Sequence, residues 1–248
     1  MLSIISDSLL IQTALCAMPS GGEEFKVPLP FTFRKKKVAK FQGLPHFKWD
    51  DLGTQDVIEQ GSFGAVLRTK YSQNARESVD VVVKKLLSSS AGFVEAFAKE
   101  ATLLSQLRHE NIVQFKAVCQ DPMAIMLEYV YFDIEVFGGE GKLSSLNELM
   151  YLIDSQDCNG IEGTFMDKIA ADVAGGLLYL HENGIAHRDL KPANVLVSNH
   201  HCRAETDRYK IAYAWKHEPV ICKLTDFGKS RSLDIQTRSV RHSRNRRI

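Results

Sequence analysis

Two hydrophobic periods alternate along this 248-residue chain and mark out its elements. Between residues 56 and 85, the β-branched and glycine-punctuated segments Asp56 to Ile58, Ala65 to Tyr71 and Val81 to Lys85 predict three short strands joined by turns, hence a small sheet. The period then lengthens. Phe93, Phe97, Leu104 and Leu107 fall at helical spacing behind Ser88-Ser89-Ser90, which can offer an N-cap, so one helix is expected to pack on that sheet. Ile112 to Val118 and Ala124 to Val130 read as two further strands, and Leu143 to Ile153 reads as a helix with Leu146, Leu149, Met150 and Ile153 on one side. From Thr164 to His181 the series Met166, Ile169, Val173, Leu177 and Leu180 steps by three and four, with Gly184 as a C-terminal stop. No internal repeat is evident, which sets a solenoid aside.

Ahead of the first strand the pattern fails. Residues 18 to 46 hold Pro19, Gly21, Gly22, Pro28, Pro30 and Pro45 around the basic run Arg34-Lys35-Lys36-Lys37, the composition of a linker. Residues 1 to 46 are therefore expected to be a flexible extension, with the folded unit beginning near Phe47. A chain with 44% hydrophobic and 25% charged residues can bury a sizeable core, which excludes disorder throughout and favours one globular unit or two small lobes.

The formal net charge of +1 conceals a cationic end, where Lys229, Arg231, Arg238, Arg241, Arg244, Arg246 and Arg247 face only Asp234. With no aromatic residues among them they read as a solvated tail, and no nucleic-acid partner is expected. Cys16, Cys119, Cys158, Cys202 and Cys222 are odd in number, scattered and without C-x-x-C spacing, so neither a disulfide framework nor a zinc site is indicated. Met1 to Ala17 is apolar but broken by Asp7, has no preceding basic residue and is too short to span a bilayer. A cytoplasmic protein without a membrane partner is the expectation, and the absence of an N-x-S/T site agrees with it.

The chemistry-bearing residues gather in the second half. His187-Arg188-Asp189-Leu190-Lys191-Pro192-Ala193-Asn194 is followed by Asp226-Phe227-Gly228. Together they supply two carboxylates and a carboxamide, a set that can orient a hydroxyl, take its proton and hold metal ions on a transferring phosphoryl group. Farther upstream stand Ile58-Glu59-Gln60-Gly61-Ser62-Phe63-Gly64-Ala65-Val66, Val81-Val82-Val83-Lys84, Glu100, and Met126-Leu127-Glu128-Tyr129-Val130.

In this order and at these separations, the motifs from about Phe47 to Gly228 resemble the eukaryotic protein kinase family, serine/threonine type. The resemblance implies an α+β, two-lobed protein-kinase-like fold: a small antiparallel sheet with one helix, then a mainly helical lobe. It also implies ATP and Mg2+ as cofactors and a protein substrate with a Ser or Thr acceptor. Gly61, Ser62, Phe63 and Gly64 would form the loop over the phosphates, since a side chain at the glycines would hold backbone amides away from phosphate oxygens. Glu59 replaces that loop's first glycine. Ile58, Val66 and Val82 would wall the adenine ring, Leu127 would guard a rear pocket, and backbone groups of Glu128 and Val130 would bond the adenine edge.

Lys84 would bind phosphate, paired with Glu100 because an unpaired buried ammonium is costly, while strand alternation sends Lys85 to the opposite face. By the same resemblance Asp189 would take or orient the acceptor proton, Lys191 would balance charge on the γ-phosphate, and Asn194 and Asp226 would hold metal. His187 would be a packing residue, and Arg188 would meet a phosphorylated residue among Ser230, Ser232, Thr237, Ser239 and Ser243. Lys191 with Pro192-Ala193 carries the serine/threonine type.

Two features depart from the family. Ser198 to Val220 is longer than the usual turn and reads as an inserted surface hairpin; a metal site from His200, His201 and Cys202 is disfavoured because adjacent histidines converge poorly on one ion. Past Gly228 the sequence lacks an A-P-E element and the helices that complete the larger lobe. The expected organisation is residues 47–130 as N-lobe and hinge, 131–228 as the start of the C-lobe with the insertion at 198–220, and 229–248 as a truncated activation segment and basic tail. A regulatory partner would then cover the incomplete lobe, and a non-catalytic module that binds nucleotide or partners is the alternative to an enzyme.

Overall fold

The computed structural model describes residues 41–62, 64–74, 77–135, 139–155, 163–201, 203 and 205–232. Five strands, β1 (Asp56–Gln60), β2 (Gly64–Asn74), β3 (Glu77–Leu86), β4 (Phe115–Cys119) and β5 (Ala124–Glu128), form one antiparallel sheet in the order β1-β2-β3-β5-β4. Successive side chains on a strand point to opposite faces, and β5 shows the consequence. Ala124 and Met126 join Phe47, Val81 and Val83 in a cluster on one face, whereas Ile125 and Leu127 join the main core on the other. A strand covered on both sides has no polar face to alternate with, which is why β5 reads as a continuous apolar run.

The covering layers come from different parts of the chain. Helix α1 (Ala91–Gln106) lies on the core side and buries Phe97, Ala101 and Leu104, its spacing of three and four giving the apolar stripe. Ser90 occupies its N-cap position with extended backbone, but without a side-chain cap bond. Phe93, counted among the helical apolar positions, lies on the exposed side. On the outer face Phe47 is buried with Trp49 and Leu52 against it.

The folded unit starts earlier than the expected boundary at Phe47. Phe41 is 2% exposed in the main core, and Pro45 O accepts from Val118 N at 2.9 Å, so residues 41–46 pack on the edge of β4 in place of running free. Pro45 was part of the linker signal; its carbonyl still serves as an acceptor, which is all that edge requires.

Beyond β5, the short strands β6 (Phe132–Asp133) and β7 (Lys142–Leu143) pair, followed by α2 (Leu146–Ser155) and the long α3 (Gly163–Glu182). Ile169, Val173 and Leu180 of α3 are buried and Leu177 packs against the core, while Met166 at the start of the same series is exposed. Gly184 ends the helix at φ +68, a conformation a side chain would strain. Strands β8 (Ile185–Ala186), β9 (Val195–Ser198), β10 (Ile221–Leu224) and β11 (Arg231–Ser232) then form two small antiparallel pairs, β9 with β10 and β8 with β11.

Between β9 and β10 the structure corrects the expected hairpin. Residues Arg208–His217 form a helix, α4, whose N-cap Asp207 accepts from Tyr209 N at 2.8 Å. Its apolar positions do not make a helical stripe: Tyr209 and Tyr213 are exposed, so periodicity gives no signal, and Asp207 at the N-cap is the local one. Cys202 lies outside the described residues; His201 Nε2 meets Glu218 O at 2.7 Å, and among the described residues no cluster of His, Cys, Asp and Glu could hold a metal ion.

The two lobes are joined by backbone as well as by the core. Leu224 N donates to Asn111 O at 2.8 Å and Val113 N to Leu224 O at 3.0 Å, while Asn111 Nδ2 reaches Cys222 O at 3.0 Å. The fold is therefore the α+β, two-lobed arrangement that the resemblance implied. Among the described residues no helix is long and apolar enough to cross a membrane. The free thiols of Cys119 and Cys222 are buried, and burial pushes that of Cys222 up.

Candidate active site

Cross-strand pairing places the first site residues. Val66 lies opposite Lys84, and Arg68 opposite Val82, so these four side chains share the sheet face that looks toward α1. Lys85, one residue on, goes to the other face, where its Nζ stands 4.8 Å from the Trp49 ring centroid. Alternation alone thus separates two adjacent lysines.

Lys84 Nζ lies 2.7 Å from Glu100 Oε1 on α1 and 3.0 Å from Asp226 Oδ1 of the other lobe. Burial alone would lower the Lys84 pKa, but the two carboxylates outweigh it and hold the ammonium above its usual range. Glu100 is 6% exposed, and burial pushes its carboxyl up against the opposing pull of Lys84. Asp226 itself sits at φ +59, a left-handed conformation uncommon for a residue with a side chain. That turn aims its carboxylate back at Lys84 while Phe227 enters the core.

Asp189 is held from three sides. Asn194 Nδ2 donates to its backbone O at 2.8 Å and to Oδ2 at 3.2 Å, Lys229 Nζ meets Oδ1 at 2.9 Å, and Lys191 Nζ lies 3.8 Å from Oδ2. The hydrogen bond from Lys229 is the largest influence, and it holds the Asp189 carboxyl below the ordinary carboxylate range. The two halves are stitched together beneath these groups. Thr225 N donates to Asn194 O at 3.0 Å, and His187 Nε2 pairs with Thr225 O at 2.9 Å with its ring edge-on to Phe227, centroids 5.0 Å apart. Burial pushes the His187 imidazole down, the neutral form that a packing residue requires.

The remaining candidates fall as follows. Gly61, Ser62 and Gly64 form the β1–β2 turn, closed by Gly61 N donating to Gly64 O at 2.9 Å, and Phe63 lies outside the described residues. Ile58 and Glu59 are exposed on β1, Val66 and Val82 are half-buried, and Leu127 and Val130 are buried. Glu128 N donates to Gln114 O, and its side-chain Oε1 accepts from Gln114 N and pairs with Lys223 Nζ, each at 2.8 Å for the side chain. Arg188 is exposed at φ +68. Of the residues proposed to meet it, Ser230 is buried and donates to His187 O at 3.1 Å, Ser232 is exposed, and Thr237, Ser239 and Ser243 lie outside the described residues.

Sequence reasoning placed Lys84, Glu100, Asp189, Asn194 and Asp226 in the site but missed Lys229, read only as a tail cation. The one available signal was its place directly after Asp226-Phe227-Gly228. The Lys223–Glu128 pair was also missed, since 95 residues separate the two.

The family described as protein tyrosine and serine/threonine kinase has a model that matches residues 52–248. Among curated proteins, the L-type lectin-domain containing receptor kinase VI.2 of Arabidopsis thaliana is 32% identical over 58% of this chain and 20% of its own length. The probable L-type lectin-domain containing receptor kinase VI.1 of the same plant is 28% identical over 84% of this chain and 25% of its own. Tyrosine-protein kinase SPK-1 of Girardia tigrina is 30% identical over 67% of this chain and 32% of its own. The chain spans a fifth to a third of the length of these curated relatives.

Proposed function

The chain belongs to the protein tyrosine and serine/threonine kinase family, and from that premise we propose that it transfers the γ-phosphate of ATP to a Ser or Thr hydroxyl of a protein substrate. One observation carries the reading: Lys84 Nζ joins Glu100 at 2.7 Å and Asp226 at 3.0 Å, drawing a strand, a helix and a loop from both lobes onto one point. A structural ion pair would need one carboxylate; the second leaves the cluster net negative, a charge suited to a divalent cation that would stand between Asp226 and a phosphate.

In this reading residues 47–130 hold the nucleotide lobe and hinge, and residues 131–228 the proton-transfer and metal-holding groups. Ile58, Val66 and Val82 flank the adenine, whose edge is met by backbone groups of Glu128 and Val130. The backbone of Gly61, Ser62 and Gly64 covers the phosphates, and Lys84 pairs with them. Asp189 takes the acceptor proton on its carboxylate, which Asn194 orients through Oδ2, and Lys191 stands by to balance phosphate charge. Tight fixing matters because misplacement of a proton acceptor costs rate steeply.

The donor set fits a hard divalent cation. Asp226 offers carboxylate oxygen, and with its Nδ2 directed at Asp189, Asn194 has a carbonyl oxygen to give. One or two protein oxygens suffice where nucleotide phosphates complete the sphere, which agrees with the lack of a larger acidic cluster among the described residues. When bound, Mg2+ would neutralise charge on the phosphoryl group.

Serine/threonine preference rests on Lys191 beside Asp189, at 3.8 Å, and on Pro192-Ala193 after it. The receptor kinases and the tyrosine-protein kinase among the relatives leave both hydroxyl classes to be compared by experiment. The protein is incubated with labelled ATP, Mg2+ and peptides bearing Ser, Thr or Tyr, with Asp189→Asn as control. Transfer to Ser and Thr peptides, abolished by the substitution, is the expected result. Transfer to the Tyr peptide alone would overturn the preference, and ATP binding without transfer would replace the enzyme by a non-catalytic nucleotide-binding module.

A further inference from the structure

Four side chains line up across the hinge, Arg68 from the cleft face of β2 and three that belong to none of the groups above. Arg203, in the segment between β9 and α4, places Cζ 3.8 Å from the Tyr131 ring centroid. Tyr131 stacks on Tyr129, centroids 4.7 Å apart and planes at 27°. Arg68 of β2 then lies over the Tyr129 ring at 5.0 Å. Rings flanked by guanidinium groups attract them through the negative π face, and stacked rings add to that contact, so the four form one continuous column.

We propose that Arg203, Tyr131, Tyr129 and Arg68 act as positioning residues, a brace by which the segment 198–220 fixes the cleft face of β2 and thereby sets nucleotide affinity. For nucleotide binding this rests on the kinase reading; as a mechanical link it stands on its own geometry.

Three observations support a brace over a chance surface stack. Its outer end is anchored: Asn199, fully buried, accepts from Asp133 N at 2.9 Å and donates to Asp133 O at 2.8 Å, fixing the start of the segment to the strand after the hinge. The segment's far side is anchored too, because Lys223 just past it pairs with Glu128 at 2.8 Å at the hinge itself. The inner end lands on the site: Arg68 lies opposite Val82, two residues along β2 from Val66, which lies opposite Lys84. A tilt of Arg68 therefore moves the face that carries Val66, and a tilt of Tyr129 moves the backbone between Glu128 and Val130.

Arg203 also shows what the column is asked to do. Its Nη1 is buried without a hydrogen-bond partner, the one such side-chain atom among the described residues. Leaving a buried guanidinium donor unmade is unfavourable, so the ring contact is what holds this side chain in place.

The experiment compares wild type with Arg203→Gln, Arg68→Gln, Tyr131→Leu, Tyr131→Phe and the double variant Arg203→Gln/Arg68→Gln. Two quantities are read: ATP affinity by calorimetry, and hydrogen exchange of the β2 amides without nucleotide. Arg203→Gln and Tyr131→Leu are expected to weaken ATP binding about two- to fivefold, the size of one cation–π contact. KM for ATP would rise with kcat unchanged. Both variants should speed β2 exchange, whereas Tyr131→Phe, which keeps the ring, should match wild type in both readouts. The double variant should lose less than the product of the single losses.

Unchanged β2 exchange in Arg203→Gln would overturn the brace, as would full additivity in the double variant. If Tyr131→Leu fails to fold, Arg203→Gln decides alone. If wild type binds no ATP, the kinase reading fails while faster β2 exchange in Arg203→Gln still upholds the brace and unchanged exchange still removes it.

Discussion

Lys229 Nζ stands 2.9 Å from Asp189 Oδ1, so the carboxylate proposed to take the acceptor proton is already bound by an ammonium of its own chain. A hydroxyl approaching Asp189 must displace that lysine or use the other oxygen, Oδ2, which Asn194 holds at 3.2 Å.

Replacing Lys229 by Met should therefore free Oδ1 and raise the Asp189 pKa back toward the ordinary carboxylate range. The sign follows from the cause: the hydrogen bond from Lys229 stabilises the charged form and depresses the pKa, so its loss moves titration upward. The acid limb of the pH profile of kcat/KM should shift to higher pH, with transfer at neutral pH at least as fast as wild type. An unchanged limb would mean that Lys229 does not contact Asp189 in the working enzyme.

Lys84→Met should abolish most transfer, by about 10²-fold or more, because a charge aimed at the phosphates is lost. It should also lower thermal stability, since Glu100, 6% exposed, is left as a buried carboxylate without its partner. The double variant Lys84→Met/Glu100→Leu should regain part of the melting temperature but none of the activity. Scanning calorimetry together with the transfer assay separates the two losses.

Gly61 and Gly64 should differ on substitution by alanine. A Cβ at Gly61 would meet nothing within 4 Å, whereas one at Gly64 would stand 3.0 Å from the Lys85 carbonyl oxygen of the neighbouring strand. Gly61→Ala should leave the folding stability within about 0.5 kcal/mol of wild type and weaken ATP binding. Gly64→Ala should impair both, because the Lys85 carbonyl oxygen, part of the β2–β3 pairing, must give way by a few tenths of an ångström. Equal ATP affinity for wild type and Gly61→Ala would argue against phosphates beneath this turn.

His187 predicts an acid-side loss of stability. Burial lowers its folded pKa below the unfolded value of about 6.5, so the unfolded state binds more protons as pH falls, and stability declines from there downward. The melting temperature should drop on going from pH 7 to pH 5, and His187→Phe, which keeps a ring against Phe227, should flatten that drop. A parallel pH dependence in both proteins would assign the loss to other groups.

Most of the fold was legible because its signals are local. Three and four steps in α3 and the apolar strands around Lys84 depend on residues a few positions apart, and α1 and β5 fall within a residue or two of their expected ends. Exceptions share a cause. Phe41 and Pro45 sit in a linker-like composition and are held by contacts with β4 and the core, and α4 lacks an apolar stripe and carries only the Asp207 cap as a local signal. Neither is written in periodicity.

The sequence by itself determined which groups exist and in what order: a lysine in an apolar strand, a glutamate on the next helix, an Asp-Asn pair at fixed spacing and a second Asp beside Phe227. Spacing along the chain also forced Lys84 and Lys85 to opposite faces, because a strand alternates whatever surrounds it. Tertiary structure decided everything that joins distant segments. That Lys84 binds Asp226 as well as Glu100, that Lys229 occupies Asp189, and that Arg203 reaches Arg68 through two tyrosines all depend on packing across 40 to 142 residues of chain. Charge attraction and ring contact act through space and carry no periodic trace, so only the folded lobes bring those partners together.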